Sequence, residues 1–314
     1  MAKKTIVVVG ATGQQGGSVI TAIRASPTLS KQYTIKGTTR DLTKPAAQDL
    51  IKKGIEIVPA DINDPSSLRA AFSGASIVFA NSITIYDGHT LKHEIQQGRA
   101  MADAAVAAGV PAIIYSTLPH AGNISNGELK AMGHFDGKAE VEAYIRTLPI
   151  RSAFVAPGSF MSNFFDSMAP RPDYTEEGAY VIAMPVPAET KLPLIDTAGD
   201  LGKWVAAILE DFDQFEGKVL CCATRLYSFS EIVEILSRLS GKKIVYRQVP
   251  VDVWKGFLPP LMAEHIADMI RFFYEFGYFG EDTEGKVAWS AEMAGVDGRL
   301  TTLEEFIGRN PLKL

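Results

Sequence analysis

Cysteine is almost absent: two residues in 314, adjacent to each other as Cys221 and Cys222 in "VLCCA". Successive strand side chains point to opposite faces, so these two are poorly placed to bond to each other. A disulfide framework is excluded, and both are expected to be reduced core residues. No uninterrupted apolar run reaches the length of a membrane span. The first strand begins around Lys4, which leaves no room for a secretory leader. The expected location is therefore intracellular, in the cytoplasm or nucleus, with no membrane association. Basic charge is also not in excess, since 31 Lys and Arg face 36 Asp and Glu for a net charge of −5. That balance argues against direct nucleic-acid contact. Internal repeats and low-complexity tracts are missing too.

What is present is a regular alternation of short apolar runs and helical patterns through the first half. Candidate strands are "TIVVVG" (5–10), "YTIKGTTR" (33–40), "IEIVPAD" (55–61), "SIVFAN" (76–81), "AIIYST" (112–117) and "RSAFVAP" (151–157). Helical patterns fall at 16–26, 44–53, 66–72, 94–109 and 136–147, the third opened by the Asp-Pro pair of "DPSSLRAAF". This rhythm predicts an α/β, doubly wound parallel sheet of the Rossmann type. After Pro157 the spacing breaks into Pro- and Gly-punctuated loops. A helix over 200–211 and the strand 218–224 then return to the sheet, and helices follow over 228–241 and 261–279. The expected division is a dinucleotide-binding domain of 1–157, to which 196–224 returns. A smaller, discontinuous α+β domain of 158–195 and 225–314 would carry a substrate or partner.

The first turn reads Gly10-Ala11-Thr12-Gly13-Gln14-Gln15-Gly16, between a strand and a helix. In that setting the first glycine allows the abrupt exit, the second lets backbone approach a pyrophosphate, and the third lets helix and sheet pack closely. The helix start then offers N–H groups to the phosphates. At the end of the second strand, where Asp or Glu would select NAD, the chain has Arg40, with Lys44 four residues on. Two cations suit a 2′-phosphate, so NADP(H) is the expected cofactor, with Asp41 capping the next helix. A solvated pair at a sheet edge is the plainer alternative. Asp61 and Ile62, at the end of the third strand, are placed to flank the adenine. Asn81 and Ser82, at the end of the fourth, would line the ribose side.

Taken with "VVVGATGQQGGSV", "TTRDLTKPAA", "IYSTLP" and "APGSFMSNFF", the stretch "HFDGKAEVEAYI" (134–145) resembles the NmrA-like family, atypical members of the short-chain dehydrogenase/reductase superfamily. The resemblance runs in order along nearly the whole chain, through "LIDTAGDLGKWV" and the aromatic segment near 272–279. It implies NADP(H) binding through Gly10, Thr12, Gly13, Gln14, Gln15, Gly16, Arg40, Lys44 and Lys138. It also places Phe160 and Asn163 at the nicotinamide end, although Met161 and Ser162 depart from the pattern there.

A typical short-chain reductase has a Tyr four residues before its Lys as general acid, and a Ser or Thr at the preceding strand end. Here Lys138, Ser116 and Thr117 fill three of those places, but the fourth holds His134. His134 either replaces the phenol as proton donor or sits at a helix start satisfied by backbone. The resemblance favours the second reading, and with it a redox-sensing regulator that answers NADPH/NADP⁺ through a protein partner. The alternative is an NADPH-dependent reductase of a small carbonyl, enone, imine or quinone, whose catalytic residues would be Lys138, His134, Ser116 and Thr117. A third reading is a scaffold stabilised by its cofactor. The segments expected to move are 84–93 and 119–133. His89 and His93 are four apart with no third ligand nearby, so no metal is expected. His120 is a candidate substrate contact. The aromatic residues 272–279 read as core, a pocket roof or a partner surface, and a homodimer is compatible with the sequence.

Overall fold

The computed structural model describes residues 3–296 and 298–314. Seven strands form its main sheet: β1 (Lys4–Val8), β2 (Tyr33–Thr39), β3 (Glu56–Pro59), β4 (Ile77–Ala80), β5 (Ala112–Ser116), β6 (Arg151–Pro157) and β7 (Val219–Cys222). They lie in the order β7-β6-β5-β4-β1-β2-β3, every neighbouring pair parallel. Chain direction across the sheet therefore reverses between β1 and β4, which leaves a crevice beyond their C-terminal ends.

β1 shows why this sequence makes a central strand. Ile6 is paired to Ile35 on one side and Ile77 on the other. Ile6 and Val8 face one layer, Val7 and Val9 the other, and all four are buried. A continuous apolar run is what a strand covered on both faces requires. One layer holds α1 (Gln14–Ala25), through Val19, Ile20 and Ile23, and α6 (Thr197–Glu210), through Trp204, Val205 and Ile208. Between them come α2 (Pro45–Lys52), α3 (Pro65–Phe72), α4 (Thr90–Ala107) and α5 (Gly133–Ile145). The second layer is built on Phe72 of α3, Met101 and Ala105 of α4, and Val141 and Ile145 of α5. The crossing of α1 and α6 is close because Gly202 lies against the Ser18 carbonyl, where a side chain would collide, and its N–H donates to Ser18 Oγ at 2.9 Å.

Beyond the C-terminal ends of β4–β7 sit two three-stranded sheets. One joins Arg225–Ser228, Lys191–Ile195 and Ser159–Phe160; the other joins Lys243–Gln248, Ala179–Met184 and Arg171–Pro172. With α7 (Pro260–Glu275) and α8 (Thr283–Met293) they enclose a separate apolar cluster. It includes Phe135, Phe272, Phe273, Tyr278 and Phe279, so most of the aromatic segment is core, while Tyr274 is 53% exposed. Cys221 and Cys222 are free and buried on opposite faces of β7. Helix α8 has no counterpart in the sequence reading. Its buried residues Thr283, Val287, Ser290 and Ala291 are small or polar, so no apolar stripe marks it. No helix among the described residues is long and apolar enough to cross a membrane.

Candidate functional site

The crevice is built first by the glycine turn. Gly10 has φ +66°, and Gly13 N–H donates to its carbonyl at 2.9 Å, so the chain doubles back within four residues. A Cβ on Gly16 would meet the Gly10 carbonyl, which makes glycine the residue that lets α1 start so close to the sheet. Gly13 opens α1 without any side-chain cap, and Thr12, Gly13 and Gln14 are exposed. A helix start of this kind presents unpaired N–H groups to an anion.

Polar atoms without partners mark the walls of the same crevice. Asn81 Oδ1 at the end of β4, Gln15 Oε1 in the first turn of α1 and Ser116 Oγ at the end of β5 are buried with no hydrogen bond. Such atoms are costly to bury unmet. Together with the glycine cradle, they fit a polar ligand carrying phosphates and hydroxyls.

At the end of β2, Arg40 and Lys44 are both exposed. Asp41 does not cap α2. Its carboxylate instead accepts from the N–H and hydroxyl of Thr43, at 2.8 and 2.6 Å, and Lys44 itself occupies the N-cap position. The Thr43 bonds, aided by the Lys44 charge, hold the Asp41 carboxyl below its ordinary value. The two cations thus remain the outward charges of this corner. Asp61 closes its own turn by accepting from Asn63, and Ile62 is buried in the second apolar layer. On the opposite side, Phe160 packs on the first apolar layer, beside the short helical turn Met161–Phe165 that contains Asn163. Gln14 Nε2 reaches Ser162 Oγ at 3.3 Å, which links the glycine turn to this segment.

Lys138 is not a free cation. Its Nζ donates to Ser82 Oγ at 2.6 Å and to Glu94 Oε2 at 3.0 Å. Ser82 also bonds Glu94 Oε2, and Thr84 Oγ1 donates to Glu94 Oε1 at 2.5 Å. The Glu94 side chain is fully buried. Glu94 is the residue that sequence reasoning missed. Its signal was a lone acid on the inward face of α4, three residues before Gln97 and four before Gly98, both of which are also buried. Thr117, beside Ser116, is buried with its hydroxyl 3.4 Å from the Lys138 carbonyl.

His134 lies at the start of α5, as its position in the sequence implied, but its partner is a side chain rather than backbone. Its Nδ1 is 2.6 Å from Nε2 of His265 on α7, and the Tyr86 ring stands edge-on to both imidazoles. Burial, then the neighbouring His265 and Lys138, hold the His134 pKa well below its ordinary value. Burial lowers that of His265 as well, against an opposing hydrogen bond to the Ala131 backbone. Both rings are therefore neutral near pH 7. In the neutral pair one ring nitrogen donates to the other across the 2.6 Å contact.

His89 precedes α4, His93 Nε2 pairs with Asp87 at 2.8 Å, and His120 Nδ1 accepts from Asn123 N–H at 3.2 Å.

The NmrA-like family model matches residues 2–307. The NmrA-like family domain-containing oxidoreductase ptmS of Penicillium ochrochloron is 28% identical, over 81% of this chain and 78% of its own. The negative transcriptional regulator NmrA, solved with NADP and also with NAD, superposes with a TM-score of 0.79 at 22% identity, covering 99% of this chain and 96% of its own. The triphenylmethane reductase of Citrobacter sp., solved with NADP(H), gives a TM-score of 0.74 at 26% identity, covering 97% and 99%.

Proposed function

The chain belongs to the NmrA-like family, and from that premise we propose that it binds NADP(H) in the crevice between β1 and β4 and serves as a redox-responsive regulator. The glycine turn would hold the diphosphate, and Arg40 and Lys44 the 2′-phosphate. Asn81 and Gln15 would meet sugar hydroxyls with their unpartnered oxygens. The nicotinamide, when bound, supplies or accepts a hydride and gains positive charge on oxidation.

One observation favours a regulator over an enzyme: the place of the reductase tyrosine is taken by a buried imidazole that is paired with His265 and whose pKa is held well below its ordinary value. Lys138 is likewise neutralised by Glu94. Residues so paired are suited to bind and position a ligand. A regulator of this kind needs different affinities of its conformations for the two cofactor states. The loop 84–89 and the first turn of α4 would carry the difference, because Thr84 and Tyr86 touch the Glu94 and histidine clusters directly. The expected result is unequal calorimetric affinity for NADP⁺ and NADPH, with different protease cleavage within 84–93. Equal affinities and identical cleavage would refute the regulator.

The reductase reading keeps one observation of its own, the buried and unpartnered Ser116 hydroxyl at the end of β5, placed to orient a carbonyl oxygen. The oxidoreductase names of several relatives agree with it. This reading requires His134 to be protonated, and because burial holds its pKa well below the ordinary histidine value of about 6.5, turnover should rise only as pH falls well below that value. Steady NADPH oxidation with a carbonyl or quinone panel, lost in Ser116→Ala, would establish it.

A further inference from the structure

A cleft of about 520 Å³ opens between α5 and α8, with Thr117 at the end of β5 also in its lining. The ends of β6 and β7 form its floor through Ala156 and Cys221. One wall is Ala139 and Ala143, four residues apart and so on one face of α5. The facing wall is Trp289, whose indole is left 41% exposed. Small side chains opposite a large flat ring leave a slot that larger aliphatic residues would have closed.

The charges around this slot are unevenly spent. Arg146 is committed to Glu142 through Nε and Nη2, at 3.0 and 2.8 Å, and to the Gly217 carbonyl. Glu140 is met by His120 Nε2 at 3.3 Å. Lys286 Nζ makes one bond, to the Phe279 carbonyl at 2.8 Å, and pairs with no carboxylate among the described residues. An ammonium has three donors, so two remain.

We propose that this cleft is a second binding site, for a small flat aromatic carboxylate. The ring lies between Trp289 and the alanine face, and the carboxylate takes the free donors of Lys286. The volume falls within the range of sites that enclose small molecules, and an indole face favours an aromatic ligand. The dinucleotide is not its occupant, since neither the glycine turn nor Arg40 or Lys44 lines it.

The test is calorimetric titration of the full chain with 2-naphthoate, with tryptophan emission of the native chain and of Trp289→Phe followed in parallel. The expected result is saturable one-to-one binding that persists at saturating NADPH. Affinity should fall about tenfold or more for neutral 2-naphthol and for Lys286→Gln, the usual effect of losing a charge-assisted hydrogen bond. Ala143→Trp, which fills the slot, should abolish binding; if circular dichroism shows it unfolded, Lys286→Gln and 2-naphthol decide. Absence of saturable binding in the millimolar range, equal affinity for 2-naphthol, or displacement by NADPH would each overturn the proposal.

Discussion

Two charge arrangements decide most of what single residues do here. At the end of β2, Arg40 and Lys44 face outward while Asp41 is bonded to Thr43, so the corner presents positive charge despite an acid between the two cations. Arg40→Ala should weaken NADPH by about 10- to 100-fold, as loss of a charge-assisted bond does. NADH should be nearly unaffected, and calorimetry with both cofactors measures the difference. Behind the crevice, Lys138 and Glu94 neutralise each other in a buried pair. Glu94→Gln strands the ammonium and should cost about 3–5 kcal/mol in denaturant unfolding. Adding Lys138→Met should recover much of that loss, because the stranded charge is then gone. The basic pair was legible in the sequence because its signal is local, a strand end followed by cations. Glu94 was not, because its role depends on a lysine 44 positions away.

Among the elements, local chemistry and remote packing divide cleanly. The Asp-Pro start of α3 is self-contained: Asp64 accepts from Ser66 N–H at 2.9 Å and Pro65 is the first helical residue. Asp64→Ala should cost about 1 kcal/mol, measured as a shift in denaturant midpoint. The approach of α6 to α1 depends instead on one glycine-sized gap, at Gly202 against Ser18. The six strands of the first half were readable from β-branched runs between turn residues, and each was found within a few residues of its expected place. Helix α4 begins at Thr90 rather than 94, because the one apolar residue of its first turn, "TLKH", is the exposed Leu91, and no apolar period marks it. The strands of the two small sheets were harder to read, since they are short and most of their pairing crosses long stretches of chain.

For the whole molecule, the histidine pair ties α5, on the sheet, to α7, in the outer cluster. Both pKa values are lowered in the folded chain, so the unfolded chain binds more protons and acid opposes folding. The stabilising contribution is complete above about 6.5, the unfolded histidine value. It falls as pH drops below that value, and the slope ends at the folded pKa values. Thermal midpoints between pH 7.5 and pH 5, intervals set by that reference value of about 6.5, should fall in the native chain. They should fall less in His265→Phe, which leaves only one buried imidazole to protonate.

The sequence alone determined the seven-strand plan, the glycine turn and the charge at its corner, since each is written within a dozen neighbouring residues. Tertiary structure alone decided that Lys138 is neutralised, that His134 faces another imidazole, and that α8 leaves a slot beside α5. Those facts join residues between 44 and more than 130 positions apart. Distances of that order are set by packing, which no local pattern encodes.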